Sequence, residues 1–167
     1  MFEQKGNNII EENEMPQKVG ALLIEKNITI SCAESCTGGM FAQTLTDIPG
    51  ISAVFDRGIV TYSNRAKVEE LGVSEKTLES FGAVSKETAE EMALGIKNVA
   101  GTDVGVSVTG VAGPGGGTDK KPVGLVYVCV TYKDKLICRE LRLAGDRAAN
   151  RKNSMMNMFE LVKQIIQ

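Results

Sequence analysis

A cluster of small polar side chains lies where a buried strand is predicted to give way to a helix. The run Ile28–Ala42 begins with β-branched residues, breaks at small polar residues and two glycines, and resumes as an apolar helix. Ser35 and Thr37 place two hydroxyls there, and Cys36 places a thiol. The first amides of a helix have no partner within it and attract an anion or oxyanion. Capping accounts for one hydroxyl, but the crowding beside Glu34 favours a functional site.

The chain contains no histidine, which limits the chemistry open to it. Ser-His-Asp and Cys-His catalysis are excluded, and the commonest ligand of zinc is missing. A serine nucleophile here needs an amine or a phenolate as its base, and lysine can serve when burial lowers its pKa from about 10.4 towards neutrality. Cys32 and Cys36 have no partners at metal-ligand spacing. We therefore expect no metal site and no cofactor.

Two further predicted strands end in polar or glycine-rich segments. The run Ala53–Thr61 ends at Tyr62, and a helix that carries Lys67 follows. The run Val104–Thr109 leads directly into a loop, Gly110–Pro122, that is too rich in glycine for a helix or a packed strand. Such a backbone can approach a ligand closely, although a flexible connector explains the glycines equally well.

These strand ends converge if the strands are parallel neighbours, because ligands bind outside the carboxyl ends of strands in α/β sheets. Ser35 would then face Tyr62, Lys67, Thr109 and the glycine-rich loop. Lys67 is the candidate base, since it lies near the positive end of its helix. The alternative is an ordinary solvated helix lysine.

The order of these elements predicts an α/β fold. Strands alternate with helices, and the runs 123–132 and 136–143 form a hairpin through a tight turn. We predict a single three-layer α/β/α domain with a mixed, mostly parallel five-stranded sheet and a C-terminal antiparallel hairpin. The domain covers residues 15–167, with its first helix starting at about Pro16, and residues 1–14 form a mobile N-terminal tail.

Composition and hydropathy argue against some classes of binding partner and some cellular locations. The 167 residues carry a net charge of -2 and show no basic face, which argues against a nucleic-acid binder. The apolar runs are too short to span a membrane and the first residues lack the core of a signal peptide, so we expect a cytoplasmic protein that binds no membrane. The four cysteines, Cys32, Cys36, Cys129 and Cys138, are predicted to be thiols.

The ordered motifs resemble those of the CinA C-terminal-domain family. The similarity runs from about Gln17 to the end of the chain, and the segments that carry it are Ala33–Gly39, Gly58–Asn64 with Lys67, Gly82–Ser85, Thr109–Pro114 with Gly116 and Gly117, Lys121–Gly124 and Gly145–Arg147. Full-length CinA proteins carry a further N-terminal domain, and we expect this chain to correspond to the stand-alone amidase form.

The resemblance implies a nicotinamide-nucleotide amidase. Such an enzyme converts nicotinamide mononucleotide and water to nicotinate mononucleotide and ammonia, in pyridine nucleotide recycling, by a metal-free serine-lysine mechanism. By motif position, Ser35 would be the nucleophile and Lys67 its base, while Tyr62 would assist proton transfer or orient Lys67. The partner is then a small-molecule nucleotide; the sequence leaves open whether the chain forms a homo-oligomer.

The same resemblance implies a set of substrate-binding residues. Backbone amides around Cys36–Gly39 would face the developing oxyanion, and the loop Gly113–Gly117 with Lys120, Lys121 and Arg147 would face the phosphate. Thr109 would position the reacting groups. The full binding set comprises Cys36, Thr37, Gly38, Gly39, Thr109, Gly110, Gly113 and Arg147.

Two alternatives remain open from the sequence. One is a non-catalytic nucleotide-binding or regulatory module, which the family's link to competence and DNA damage suggests. The other is a thiol enzyme that uses Cys36, although lysine is the only evident base for it.

Overall fold

Helices and strands alternate along the chain. A computed structural model describes the backbone of residues 3–167 and the side chains of residues 14–167. The strands are β1 (Ile30–Glu34), β2 (Phe55–Val60), β3 (Val104–Gly110), β4 (Leu125–Tyr132) and β5 (Lys135–Arg142). The helices are α1 (Glu3–Glu25), α2 (Met40–Thr46), α3 (Asn64–Leu71), α4 (Glu75–Phe81), α5 (Lys86–Ala100) and α6 (Arg147–Ile166).

The strands form one sheet in the order β2-β1-β3-β4-β5. β1 pairs in parallel with β2 and β3, whereas β4 runs antiparallel to both β3 and β5. Four of the five strands therefore point the same way, which confirms the predicted mixed, mostly parallel sheet with its terminal hairpin. Glu34 pairs with both Val60 and Val108, so the carboxyl ends of the three parallel strands meet at one edge.

Helices cover both faces of the sheet, as the predicted three-layer α/β/α arrangement requires. α1, α2 and α6 pack on one face, and α3, α4 and α5 lie on the other. The larger apolar core fills the first interface, where the rings of Phe41 and Phe159 lie 4.3 Å apart between centroids. Because helices cover both faces, every residue of β1 is buried.

Small residues alternate along β3 because α5 packs very close to it. A Cβ atom on Gly105 would lie 2.2 Å from the carbonyl oxygen of Ala93. Two residues further along the same face of the strand, the Ser107 hydroxyl donates a hydrogen bond to the Ala89 carbonyl at 2.6 Å. A larger side chain at either position would push the helix off the sheet.

The first helix is longer than the sequence predicts. α1 begins at Glu3, so the predicted start at about Pro16 is wrong, and Pro16 lies inside the helix. Extending an existing helix does not require a new nucleation step, so residues with weak helix propensity can be added at its end. Met1 and Phe2 lie outside the described residues, and the domain boundary at residue 15 stays a prediction. No helix in the described range is long and apolar enough to cross a membrane.

Two of the four cysteines form a disulfide, which corrects the prediction of four thiols. Cys129 of β4 lies directly opposite Cys138 of β5, and their Cα atoms are 4.1 Å apart. Cys32 and Cys36 are buried free thiols. The hairpin register brings the first pair together, and spacing along the sequence does not reveal that register.

Candidate active site

The buried amine of Lys67 lies beside the hydroxyl of Ser35, with 3.2 Å between Nζ and Oγ. Ser35 follows β1 directly, whereas Lys67 comes from the first turns of α3 and reaches back across the strand ends. Ser63 starts that helix, since its hydroxyl accepts a hydrogen bond from the Ala66 amide. Only 1% of the Lys67 surface is exposed, so the alternative of a solvated helix lysine is wrong.

The surroundings of Lys67 favour a neutral amine. Its Nζ donates to the Thr61 carbonyl at 2.7 Å and to the Tyr62 carbonyl at 3.4 Å. These acceptors are dipoles rather than carboxylates, and burial lowers the pKa of Lys67 below its usual value. When the amine is neutral, the two carbonyls take its two N–H groups and leave its lone pair for the Ser35 hydroxyl. Ser35 and Lys67 can therefore act as nucleophile and base.

The Glu34 carboxylate holds the turn that carries Ser35. It is buried and accepts hydrogen bonds from the amides of Gly39, Phe41 and Ala42 at 2.9–3.1 Å, and from the Thr37 hydroxyl at 2.5 Å. Glu34 thus occupies the N-terminus of α2 and satisfies amides that have no partner within the helix. A substrate anion cannot bind at the same amides.

This arrangement leaves part of the predicted binding set outside the cavity beside Ser35. Thr37, Gly38 and Gly39 do not line the cavity beside Ser35. The Gly38 amide donates to the Ser35 carbonyl at 3.1 Å, and both glycines have positive φ angles of 64° and 99°. α2 therefore begins at Met40, directly after the two glycines. These residues shape the turn from outside the cavity beside Ser35.

The cavity beside Ser35 has a volume of about 270 Å³. Cys36, Tyr62, Lys67, Thr109 and Arg147 line it together with Ser35, and the loops supply Ala83, Val84, Gly110, Val111, Ala112, Gly113, Gly115 and Gly116. The three strand-end loops therefore meet as predicted.

Arg147 reaches the cavity from the first turn of α6. Its guanidinium donates to the Gly113 carbonyl at 2.8 Å and to the Tyr62 hydroxyl at 3.4 Å. The Tyr62 side chain is 63% exposed, at the rim of the cavity. Tyr62 thus meets Lys67 through its backbone carbonyl, while its hydroxyl meets Arg147.

Thr109 fixes part of the cavity wall. Its buried hydroxyl donates to the Ala83 carbonyl at 2.8 Å. The hydroxyls of Ser85 and Thr88 hold the Gly82 carbonyl in the same segment. Thr109 therefore positions a loop as well as lining the cavity.

The two lysines of the glycine-rich loop lie outside this cavity. Lys121 donates through Nζ to the Phe81 carbonyl, and Lys120 and Lys121 line a separate cavity of about 370 Å³. The prediction that they face the substrate phosphate together with Arg147 is therefore not supported for these two residues. Arg147, unlike Lys120 and Lys121, lines the cavity beside Ser35.

The Cys36 thiol is a poor nucleophile. Burial raises its pKa to about 11, so the thiolate is scarce at neutral pH. The thiol interpretation loses support accordingly. Among the side chains of residues 14–167, no group of three or more Cys, Asp or Glu residues is placed to hold a metal ion.

Arg151, which no sequence motif singles out, contacts the Ser35 turn. Its guanidinium donates to the carbonyls of Cys36 and Thr37 at 3.1 and 2.9 Å. The spacing of four residues from Arg147 places both arginines on one side of α6. That spacing was the available signal in the sequence.

Comparisons with known proteins agree with this architecture. The family described as the CinA C-terminal domain matches residues 12–166. A competence-damage inducible protein of Acetivibrio thermocellus is 54% identical over 156 residues, which cover 93% of this chain and 38% of that protein. One from Clostridium acetobutylicum is 55% identical over 148 residues, or 89% of this chain and 36% of that protein. The chain thus spans well under half the length of these curated relatives.

Solved structures match over nearly their whole length. The competence/damage inducible protein CihA from Agrobacterium tumefaciens has a TM-score of 0.91 and 40% identity, covering 93% of this chain and 96% of its own. A CinA superfamily protein from Klebsiella pneumoniae has a TM-score of 0.89 and 32% identity, covering 93% and 97%. The sheet and its helical layers are therefore shared with these proteins.

Proposed function

Because the chain belongs to the CinA C-terminal domain family, we propose that it is an amidohydrolase that cleaves the carboxamide of nicotinamide mononucleotide. The products are nicotinate mononucleotide and ammonia. One observation carries the proposal: a buried lysine amine lies 3.2 Å from a serine hydroxyl in a cavity. No histidine is available for this reaction, and Lys67 is the amine beside the Ser35 hydroxyl, so we assign it as the base.

The first half of the reaction forms an ester. Neutral Lys67 takes the proton of the Ser35 hydroxyl as Oγ attacks the carboxamide carbon, and the carbonyl electron pair moves to oxygen. The Lys67 ammonium then gives this proton to the departing nitrogen. The carbon–nitrogen bond breaks, ammonia leaves, and the nicotinoyl group stays on Ser35 as an ester.

The second half releases the acid. A water molecule loses a proton to Lys67 and attacks the ester carbon, and the Lys67 ammonium returns a proton to Oγ of Ser35 as the ester bond breaks. Lys67 thus ends neutral and Ser35 ends protonated, ready for another cycle.

The cavity suits one aromatic amide with a charged extension. Its volume of about 270 Å³ accommodates the pyridine ring beside Ser35, so the ribose phosphate extends towards the rim. Arg147 lies at that rim next to Tyr62 and supplies a cation for the phosphate.

Ammonia release from nicotinamide mononucleotide tests this proposal. We expect release by the wild type and loss of at least about 10³-fold in kcat for Ser35→Ala and for Lys67→Met, because each removes one half of the reacting pair. Cys36→Ala should retain activity, and Lys152→Met, which removes an exposed lysine of α6, is the matched control.

Two results would overturn the proposal. Loss of activity in the Cys36 variant alone would indicate a thiol enzyme. Tight binding of the nucleotide by a folded wild type that releases no ammonia would indicate a binding module.

A further inference from the structure

Arg151 holds the turn that carries Ser35 but does not line the cavity. It projects from α6, is half-buried, and donates through Nε to the Cys36 carbonyl and through Nη2 to the Thr37 carbonyl. A cation that grips two consecutive backbone carbonyls fixes the orientation of the peptide units to which they belong.

Two peptide units joined by a hydrogen bond connect the Arg151 contact at Thr37 to the cavity. In a trans peptide the carbonyl and the N–H point in opposite directions, so the Thr37 carbonyl faces Arg151 while the Gly38 N–H faces away. That N–H donates to the Ser35 carbonyl at 3.1 Å. The Ser35 carbonyl shares its peptide unit with the Cys36 N–H. We call this chain, from Arg151 through the Thr37–Gly38 and Ser35–Cys36 units, the peptide relay.

The Cys36 amide is the end of the peptide relay. Among the hydrogen bonds between described residues, the Cys36 N–H donates to none, whereas the Ser35 N–H donates to the Val108 carbonyl and the Gly39 N–H to Glu34. The Thr37 amide is also without an acceptor in this set, but Thr37 is fully buried and does not line the cavity. Cys36 lines the cavity together with Ser35, so of the two amides of this turn without an acceptor, the Cys36 amide is the one whose residue borders the cavity.

Linked peptide units polarise one another. A hydrogen bond to a carbonyl oxygen makes the N–H of the same unit a stronger donor, and a cation at the far end increases the effect. Arg151 therefore acts at a distance on the Cys36 N–H in two ways: it sets the direction of this donor and it raises its strength.

We propose that Arg151 is a positioning residue that orients and polarises the Cys36 amide, through the peptide relay, as the donor to the oxyanion formed when Ser35 attacks the substrate. The inference rests on the proposed amidase function. Protons stay on their nitrogens throughout the relay. Only the carbonyl electron pair of the substrate moves, to the oxygen that faces the Cys36 N–H.

Steady-state kinetics of Arg151→Met and Arg151→Lys test the inference. We expect kcat for nicotinamide mononucleotide to fall about 10–100-fold in Arg151→Met, with KM within about twofold of wild type, because Arg151 does not itself line the cavity. Arg151→Lys keeps a charge but cannot hold both carbonyls in the same way, so it should recover part of kcat.

Pyridine-3-boronic acid supplies a readout that a loss of stability alone does not change. Addition of the Ser35 oxygen gives a tetrahedral boronate with an oxygen at the oxyanion position. Its inhibition constant should rise across the Arg151 variants by the same factor as kcat/KM falls.

Arg139→Met is the matched control. Arg139 on β5 donates to Asn157 and Glu160 of α6, so it supports the same helix from a position outside the cavity. We expect it to lower the melting temperature while kcat and boronate inhibition stay at wild-type values. Folded Arg151 variants with wild-type kcat, or equal losses in Arg139→Met, would overturn the inference.

Failure of the proposed amidase function can be distinguished from failure of the inference on Arg151. If the wild type releases no ammonia, the amidase is refuted. Boronate binding to Ser35 then still decides whether Arg151 strengthens the Cys36 donor.

Discussion

Lys67 donates to the Thr61 carbonyl at 2.7 Å, so a buried lysine is bound by backbone dipoles at the end of β2 and not by a carboxylate. An acidic partner would stabilise the ammonium form and raise the pKa of the lysine. Carbonyl dipoles compensate less, and burial dominates. The amine is therefore available as a base at a lower pH than that of an exposed lysine.

The pH profile of kcat/KM should have an acidic limb set by Lys67. Burial places the pKa of Lys67 below its usual value, and the base must be neutral. Below that pKa, activity should fall about tenfold per pH unit; above it, activity should level off. Initial rates between pH 5 and pH 10 measure the profile, with circular dichroism as a check on folding. A flat profile for a folded enzyme would contradict the assignment.

The same lysine should make stability depend on pH. Because its pKa is lower in the folded state, the unfolded chain binds more protons between the two pKa values, and the free energy of unfolding rises with pH across that window. The contribution is at most about 1.4 kcal/mol per pH unit. Urea unfolding at several pH values should show this slope reduced in Lys67→Met and retained in the exposed-lysine control Lys152→Met.

Two threonines offer an identical substitution in opposite contexts. The Thr37 hydroxyl donates to Glu34, whereas the Thr61 hydroxyl oxygen is buried without a hydrogen-bond partner among the described residues. Thr37→Val should cost about 1–3 kcal/mol, since it leaves a buried carboxylate short of a donor. Thr61→Val should cost nothing or stabilise by about 1 kcal/mol. Denaturant midpoints compare the two, and equal losses would contradict the hydrogen-bond pattern.

We expect Arg147 to affect the binding of the substrate phosphate rather than the reaction at the amide. If it binds the phosphate, Arg147→Met should raise KM for nicotinamide mononucleotide about 10–100-fold, the effect of losing a charged hydrogen bond. The KM for nicotinamide riboside, which lacks the phosphate, should change little. Arg142→Met removes an exposed arginine paired with Glu140 and serves as the control. Equal changes for both substrates would indicate that Arg147 acts through the Gly113 loop instead.

The sequence is sufficient to predict the sheet and the layers, and it predicts the meeting of Ser35 with Lys67 only on the condition that the strands are parallel neighbours. Parallel strands bring their carboxyl ends together, so polar residues after β1, β2 and β3 have to converge. The absence of histidine then leaves lysine as the natural base.

Other features depend on side-chain direction and register, which a one-dimensional pattern does not contain. Glu34 satisfies the amides of α2 because its side chain points towards that helix. Arg151 contacts the Ser35 turn through backbone carbonyls. Every residue has a backbone carbonyl, so no sequence motif marks this contact. Cys129 and Cys138 meet only in one register of the hairpin.

The alternating small residues of β3 lie between the two ends of this strand and face α5 or the loop before it. Gly105 touches the backbone of Ala93 near the far end of the strand, and Thr109, on the same side of the strand, holds the loop that walls the cavity. The spacing between β3 and α5 at Gly105 is therefore linked to the position of the loop that Thr109 holds. A methyl group added at Gly105 would displace α5 from the strand at this point. The displacement would extend along the helix and alter the dimensions of the cavity beside Ser35.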